Sequence, residues 1–152
     1  MNFLLDTNIV LNMIRAKDFV AIKNFINPED VQLYLSVASR AEIASIAIRN
    51  NWGRKRNDLL TDFLNYVSIV DIDQSLVSIY AEIDAFSQRL NPGFDKYTFN
   101  TPRNMGKNDL WIASLATFLN LKLITTDLDF DHLHKVFFEV RKINPEEFIQ
   151  FF

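Results

Sequence analysis

Apolar residues cluster in five short runs, at residues 2–6, 32–37 (QLYLSV), 67–72 (VSIVDI), 122–125 (KLIT) and 136–140 (VFFEV). Each is rich in branched or aromatic side chains and too short for a helix, so the pattern predicts five strands. Between them, apolar positions recur with helical spacing at 8–15, 18–26, 39–50, 55–66, 74–90 and 107–120. A shorter segment lies near 129–134, and Pro145 opens a last one at 145–151. Strand-then-helix alternation predicts an α/β fold: a central parallel sheet of about five strands with helices on both faces, three layers in all. One stretch breaks the alternation. LNPGFDKYTFNTPRNMGKN, residues 90–108, exceeds the ~12–15 residues beyond which a connection in a compact domain is usually functional or disordered.

A chain of 152 residues fits one domain, 1–152, able to bury a core without staples. Its 49% hydrophobic content and 14 Phe indicate a packed globule. A net charge of -3 argues against nucleic-acid binding by a broad basic face, leaving only local basic patches. The absence of Cys excludes disulfides, thiolate zinc sites and a cysteine nucleophile, and fits a reducing compartment. With no leader-like start and no run approaching the ~18 apolar residues of a membrane span, the expectation is a cytoplasmic protein without a membrane partner.

Four carboxylates sit where an apolar pattern does not want them. Asp6 ends the first run, in NFLLDTN, and Asp127 follows the fourth, in LITTDLDF. Each charge loses hydration beside apolar neighbours unless a cation or hydrogen bond replaces it. Glu42 lies in ASRAEIASIAI, among Ala, Ile and Ser; alone it reads as the capping-box partner of Ser39. Asp109, in GKNDLWIASLATFL, heads the helical face carrying Ile112, Ala113 and Ala116; a first-turn charge with Asn108 as cap would explain it locally. In a parallel alternating fold, however, strand carboxyl ends and helix N-termini meet on one rim, where ligands bind. Four carboxylates gathered there repel one another unless a cation compensates, and oxygen-only ligands suit Mg²⁺ or Mn²⁺.

LLDTN, SVASRAEI, KNDLWIASLA and LITTDLDF resemble, in order and spacing, the motifs of PIN-domain ribonucleases, most nearly the VapC-type toxins of toxin–antitoxin pairs. The likeness covers nearly the whole chain and rests on these four blocks. It implies a metal-dependent endoribonuclease whose acidic set falls on Asp6, Glu42, Asp109 and Asp127, with Asp129 as a further acid. Which of Asp127 and Asp129 is the fourth ligand, and which accepts a proton, stays open. Thr7 and Asn8 would stand beside the first acid and Thr125 before the fourth, on the substrate side of the site. The resemblance also implies an RNA substrate cut to a 5′-phosphate and a 3′-hydroxyl, an antitoxin partner and a homodimer. The alternatives are a PIN-like module that binds RNA or protein without cutting, and a housekeeping RNA-processing nuclease.

Other enzyme classes fit poorly. Asn8 stands where a dehalogenase-like phosphatase needs a second acid, and glycines at 53, 93 and 106 make no phosphate-cradling loop. For substrate contacts, the 90–108 loop offers Lys96, Tyr97, Phe99, Arg103 and Lys107 next to Asp109, with Arg103 or Lys107 suited to phosphate. Its aromatics could equally close the core. NNWGRKRND groups Trp52 with Arg54, Lys55 and Arg56, a set able to stack a base and pair phosphates; a solvated helix start with Trp52 packed inward is the plainer reading. His132 and His134, two apart, face different ways, make a poor metal pair and are expected to be exposed or half-buried. The tail NPEEFIQFF would finish the core or offer a sticky patch.

Overall fold

The computed structural model describes all residues, Met1–Phe152. Five strands, β1 (Phe3–Leu5), β2 (Leu33–Ser36), β3 (Ser68–Val70), β4 (Lys122–Thr125) and β5 (Val140–Lys142), form one sheet in the order β3-β2-β1-β4-β5. Every neighbouring pair is parallel. The helices are α1 (Thr7–Arg15), α2 (Phe19–Ile26), α3 (Val37–Arg49), α4 (Arg54–Tyr66), α5 (Val77–Ser87) and α6 (Lys107–Phe118), with 3-10 segments at Gln74–Leu76, Leu128–Leu133 and Pro145–Phe151.

Alternation along the strands divides the core into two layers. Phe3, Leu5, Leu33, Leu35 and Ile124 point to one face, against α1, α2, Ile43 of α3, Phe63 of α4 and Phe148 of the last 3-10 segment. Leu4 and Leu123 point to the other, against α5, α6, Phe130 and Phe138. Strands covered on both faces must be apolar throughout, which is why the sequence runs read so plainly. The terminal aromatics finish the first layer: Phe148 is buried, and Phe151 and Phe152 pack beside it.

Three local expectations differ. α3 begins at Val37 because the hydroxyl of Ser36 accepts the amide of Ala38, so Ser39 lies inside the helix, buried, and is no capping-box partner for Glu42. α6 is entered through Gly106 without a side-chain cap, leaving Asn108 free for another role. The fifth strand runs over 140–142, after the predicted apolar run; Phe138 is buried in the core, whereas the edge strand itself contains Arg141 and Lys142. An edge strand pairs on one side only and tolerates charge.

Strand order reverses between β1 and β4: successive strands step outward from β1 through β2 to β3, then return beside β1 as β4 and continue to β5. The crevice beyond the carboxyl ends of those two central strands is the expected ligand position in an open α/β sheet.

Candidate metal centre

Asp6 and Asp127 sit at this crevice, just past β1 and β4. α3 leaves the carboxyl end of β2, and α6 leads into the amino end of β4, so the N-terminal turns of both helices lie on the same rim, bringing Glu42 and Asp109 with them. Asp109, Asp127 and Asp129 each present a carboxylate oxygen within 4.8 Å of the other two. Carboxylates this close repel one another, and together they offer oxygen atoms that a hard cation could draw onto itself.

Hydrogen bonds hold the carboxylates of Asp6, Asp127 and Glu42. Asp6, only 6% exposed, caps α1: its Oδ1 accepts the Thr7 amide at 2.8 Å and its Oδ2 accepts the Thr125 hydroxyl at 2.6 Å. The same Thr125 oxygen accepts the Asp127 amide at 3.0 Å, and Asp127 Oδ1 in turn accepts the Asp129 amide at 2.9 Å. One hydroxyl thus ties the acid of β1 to those following β4. Across the rim, Asn108 Nδ2 donates to Glu42 Oε1 at 2.6 Å, linking α6 to α3.

Electrostatically the centre is frustrated. Burial pushes the Asp109 carboxyl up to about 7, with the charges of Asp6, Asp127, Asp129 and Glu42 adding to it. Burial also raises Asp6, against the pull of its bonds from Thr125 and Thr7, and the charges of Asp127 and Glu42 raise it further. Asp129 is raised by burial and by Asp127, while Arg103 works the other way. The four ion pairs of the molecule involve none of these five acids; nearby, Lys142 pairs with Asp131 at 2.8 Å. A set of oxygen donors with no ion-pair partner suits a hard divalent cation.

The predicted acids do gather at one rim, but their grouping differs from the expected set of Asp6, Glu42, Asp109 and Asp127. Asp129 joins Asp109 and Asp127 in the tightest cluster; Asp6 and Glu42 flank it. Thr125, expected on the substrate side, is fully buried with its hydroxyl engaged by Asp6 and Asp127; it positions acids instead. Thr7 is likewise buried, its amide committed to Asp6. Asn8 is exposed, as is Lys107 at the start of α6. Arg103, half-buried, lies close enough to influence Asp129.

Sequence reasoning misplaced His132 and missed its partner Ser87. His132 is 5% exposed, its Nε2 lies 2.7 Å from Ser87 Oγ, and burial pushes its pKa down to about 4 with the charge of Arg103 assisting. The apolar neighbours Phe130 and Leu133 were the available signal. His134 is exposed, accepting the Val140 amide at 2.9 Å. In the long loop Phe99 is buried, and the Tyr97 hydroxyl donates to the Asn91 carbonyl at 3.1 Å, so those aromatics do close the core.

The family profile of the PIN domain matches residues 3–136. No curated protein matches the chain in sequence. Among solved structures, VapBC2 from Rickettsia felis, bound to a promoter DNA fragment, superposes with a TM-score of 0.70 at 20% identity, over 95% of this chain and 100% of that one. FitAcB from Neisseria gonorrhoeae gives 0.66 at 22%, over 91% and 95%. DNA-bound VapBC from Salmonella typhimurium gives 0.69 at 18%, over 93% and 98%. These likenesses concern the fold.

Proposed function

Because the chain belongs to the PIN-domain family, we propose that it is a Mg²⁺- or Mn²⁺-dependent endoribonuclease, the toxin of a toxin–antitoxin pair, working as one domain over residues 1–152. The observation that carries this reading is the trio of Asp109, Asp127 and Asp129 at the sheet's reversal point, with Asp6 and Glu42 beside it and no cationic side chain paired to any of them. A domain that only binds has no use for such repulsion.

A divalent ion held there supplies charge neutralisation for the phosphodiester and an acidified water. The chain does the rest. Asp109 and Asp127 are the principal ligands, Asp127 being aimed by its amide's bond to Thr125. Asp6, locked by Thr7 and Thr125, and Glu42, held by Asn108, complete the negative lining. Asp129 is the exposed member of the trio, open to solvent beside Asp127, and its carboxylate takes the proton of the attacking water. Arg103 and Lys107 flank the acids and are placed to hold the substrate phosphate, with Asn8 at the rim. The leaving 3′-oxygen is protonated from solvent, giving a 5′-phosphate and a 3′-hydroxyl.

Structures carrying this fold include VapBC and FitAB complexes, which supports an antitoxin partner; a homodimer and a cytoplasmic location belong to the same proposal. No helix is long and apolar enough to cross a membrane. The test is cleavage of a labelled RNA pool with Mn²⁺, with EDTA, and by Asp109→Asn. Cleavage should depend on the metal and fall at least a hundredfold in the variant. RNA left uncut by the wild type with metal present, but still bound, would establish the non-catalytic module.

A further inference from the structure

Away from the acids, two adjoining cavities of about 590 and 280 Å³ share Arg15, Asn50, Trp52 and Arg56 and so form one groove. Lys17 and Lys55 line its outer part. Asn8 and Asn12 line its inner part, and with Arg15 they follow one face of α1. From Arg15 to Asn8 is about 10 Å along the helix at 1.5 Å per residue, and Asn8 is two residues beyond Asp6. The groove therefore leads from the start of α4 to the rim of the metal centre.

Its charge is one-sided. Arg15, Lys17, Lys55 and Arg56 are exposed and form no ion pair, and no carboxylate lines either cavity. That is a local inversion in a chain of net charge -3. Arg54, their neighbour in sequence, is excluded: it does not line the groove and pairs with Asp58 at 3.9 Å. Trp52 is half-buried against the core, lines both cavities, and has the Arg56 guanidinium 5.3 Å from its ring centre. An aromatic platform among unpaired cations is the chemistry that binds single-stranded nucleic acid, stacking a base while the cations track phosphates.

We infer that this groove seats the single-stranded RNA flanking the cleaved bond, with Trp52 stacking a base and Arg15, Lys17, Lys55 and Arg56 holding its phosphates. The inference rests on the nuclease reading above for its substrate, yet binding tests it without cleavage. The full chain is titrated in EDTA with a labelled oligouridylate of about a dozen nucleotides, followed by anisotropy over a salt series. Lys55→Gln with Arg56→Gln should lower the slope of log affinity against log salt by roughly 1.4, about 0.7 per phosphate contact. Arg54→Gln should leave it unchanged. Trp52→Leu should weaken binding about tenfold. Since Trp52 also packs on the core, a second measurement avoids that variant: in a Trp111→Phe background, RNA should quench the fluorescence of the remaining Trp52.

An unchanged slope in the double variant, or unquenched Trp52 with RNA bound, overturns the proposal. So does quenching by poly-glutamate that RNA fails to compete, which would make the groove a seat for an acidic protein segment. Groove-dependent binding without any cleavage supports the groove and defeats the nuclease; metal-dependent cleavage by a double variant with unchanged KM does the reverse.

Discussion

Removing one charge from the acidic cluster should make the protein more stable in the absence of metal. Asp109 is pushed from 3.8 up to about 7, a shift of roughly 3 units, or ~4 kcal/mol at 1.36 kcal/mol per unit. That is a ceiling. Asp109 is only half-buried, and solvent screening brings the figure to about 1–2 kcal/mol. The opposing term, a first-turn carboxylate on the α6 dipole, is worth about 0.3–1 kcal/mol, so repulsion and desolvation win. The folded state binds the Asp109 proton more tightly than the unfolded one. Its contribution is therefore fully present below about pH 3.8 and is lost as pH rises toward about 7. His132, held down to about 4, acts oppositely, losing stability as pH falls from 6.5. Comparing Asp109→Asn with wild type at each pH cancels the histidine.

The assay is urea unfolding in EDTA at about pH 4, pH 6 and pH 8. The variant should match wild type at the lowest pH and exceed it by about 1–2 kcal/mol at the highest. Saturating Mn²⁺ should then reverse the order, because a ligand that binds only the folded state stabilises it by mass action. A variant less stable than wild type at pH 8 without metal, or a gap that does not widen with pH, refutes the electrostatic account of the centre.

Other outcomes can be checked by similar means. Thr125→Val removes the hydroxyl that joins Asp6 to the Asp127 amide. It should cost about 1–3 kcal/mol and lower cleavage, with Thr125→Ser restoring both; full activity in the valine variant would count against a positioning role. Glu42→Gln keeps an oxygen for Asn108, so unfolding should change by less than about 0.5 kcal/mol while calorimetric Mn²⁺ affinity falls. Ser87→Ala strips the buried Nε2 of His132 of its partner and should destabilise by about 1–2 kcal/mol, measured by urea midpoint at neutral pH. Phe148→Ala, at a fully buried ring, should cost about 3–5 kcal/mol, which thermal unfolding would show.

How much of this was legible beforehand varies with the range of the interaction. Apolar runs ending in Asp6 and preceding Asp127, and helical spacing behind Asp109, are local patterns, and they were enough to place the acids on strand ends and helix starts. A parallel sheet buried on both faces forces that legibility, since its strands have no polar face to blur the run. Where two local explanations competed, the sequence misled: Ser36 rather than Ser39 caps α3, and the apolar stretch before Val140 is core filling beside the strand, not the strand itself.

What the chain's linear order could not contain is which sequence-distant groups become neighbours. The strand order β3-β2-β1-β4-β5 sets β4 beside β1, and only then does Thr125 reach Asp6 across 119 residues and Asn108 reach Glu42 across 66. The same folding draws Asp129 into the acidic trio, buries His132, and sorts Arg56 into the groove while turning Arg54 to Asp58. Periodicity along a strand or helix is a property of nearest neighbours and survives in the one-dimensional record. Distances between carboxylate oxygens brought from separate elements depend on how layers close over a sheet, and those arise only when the whole core packs.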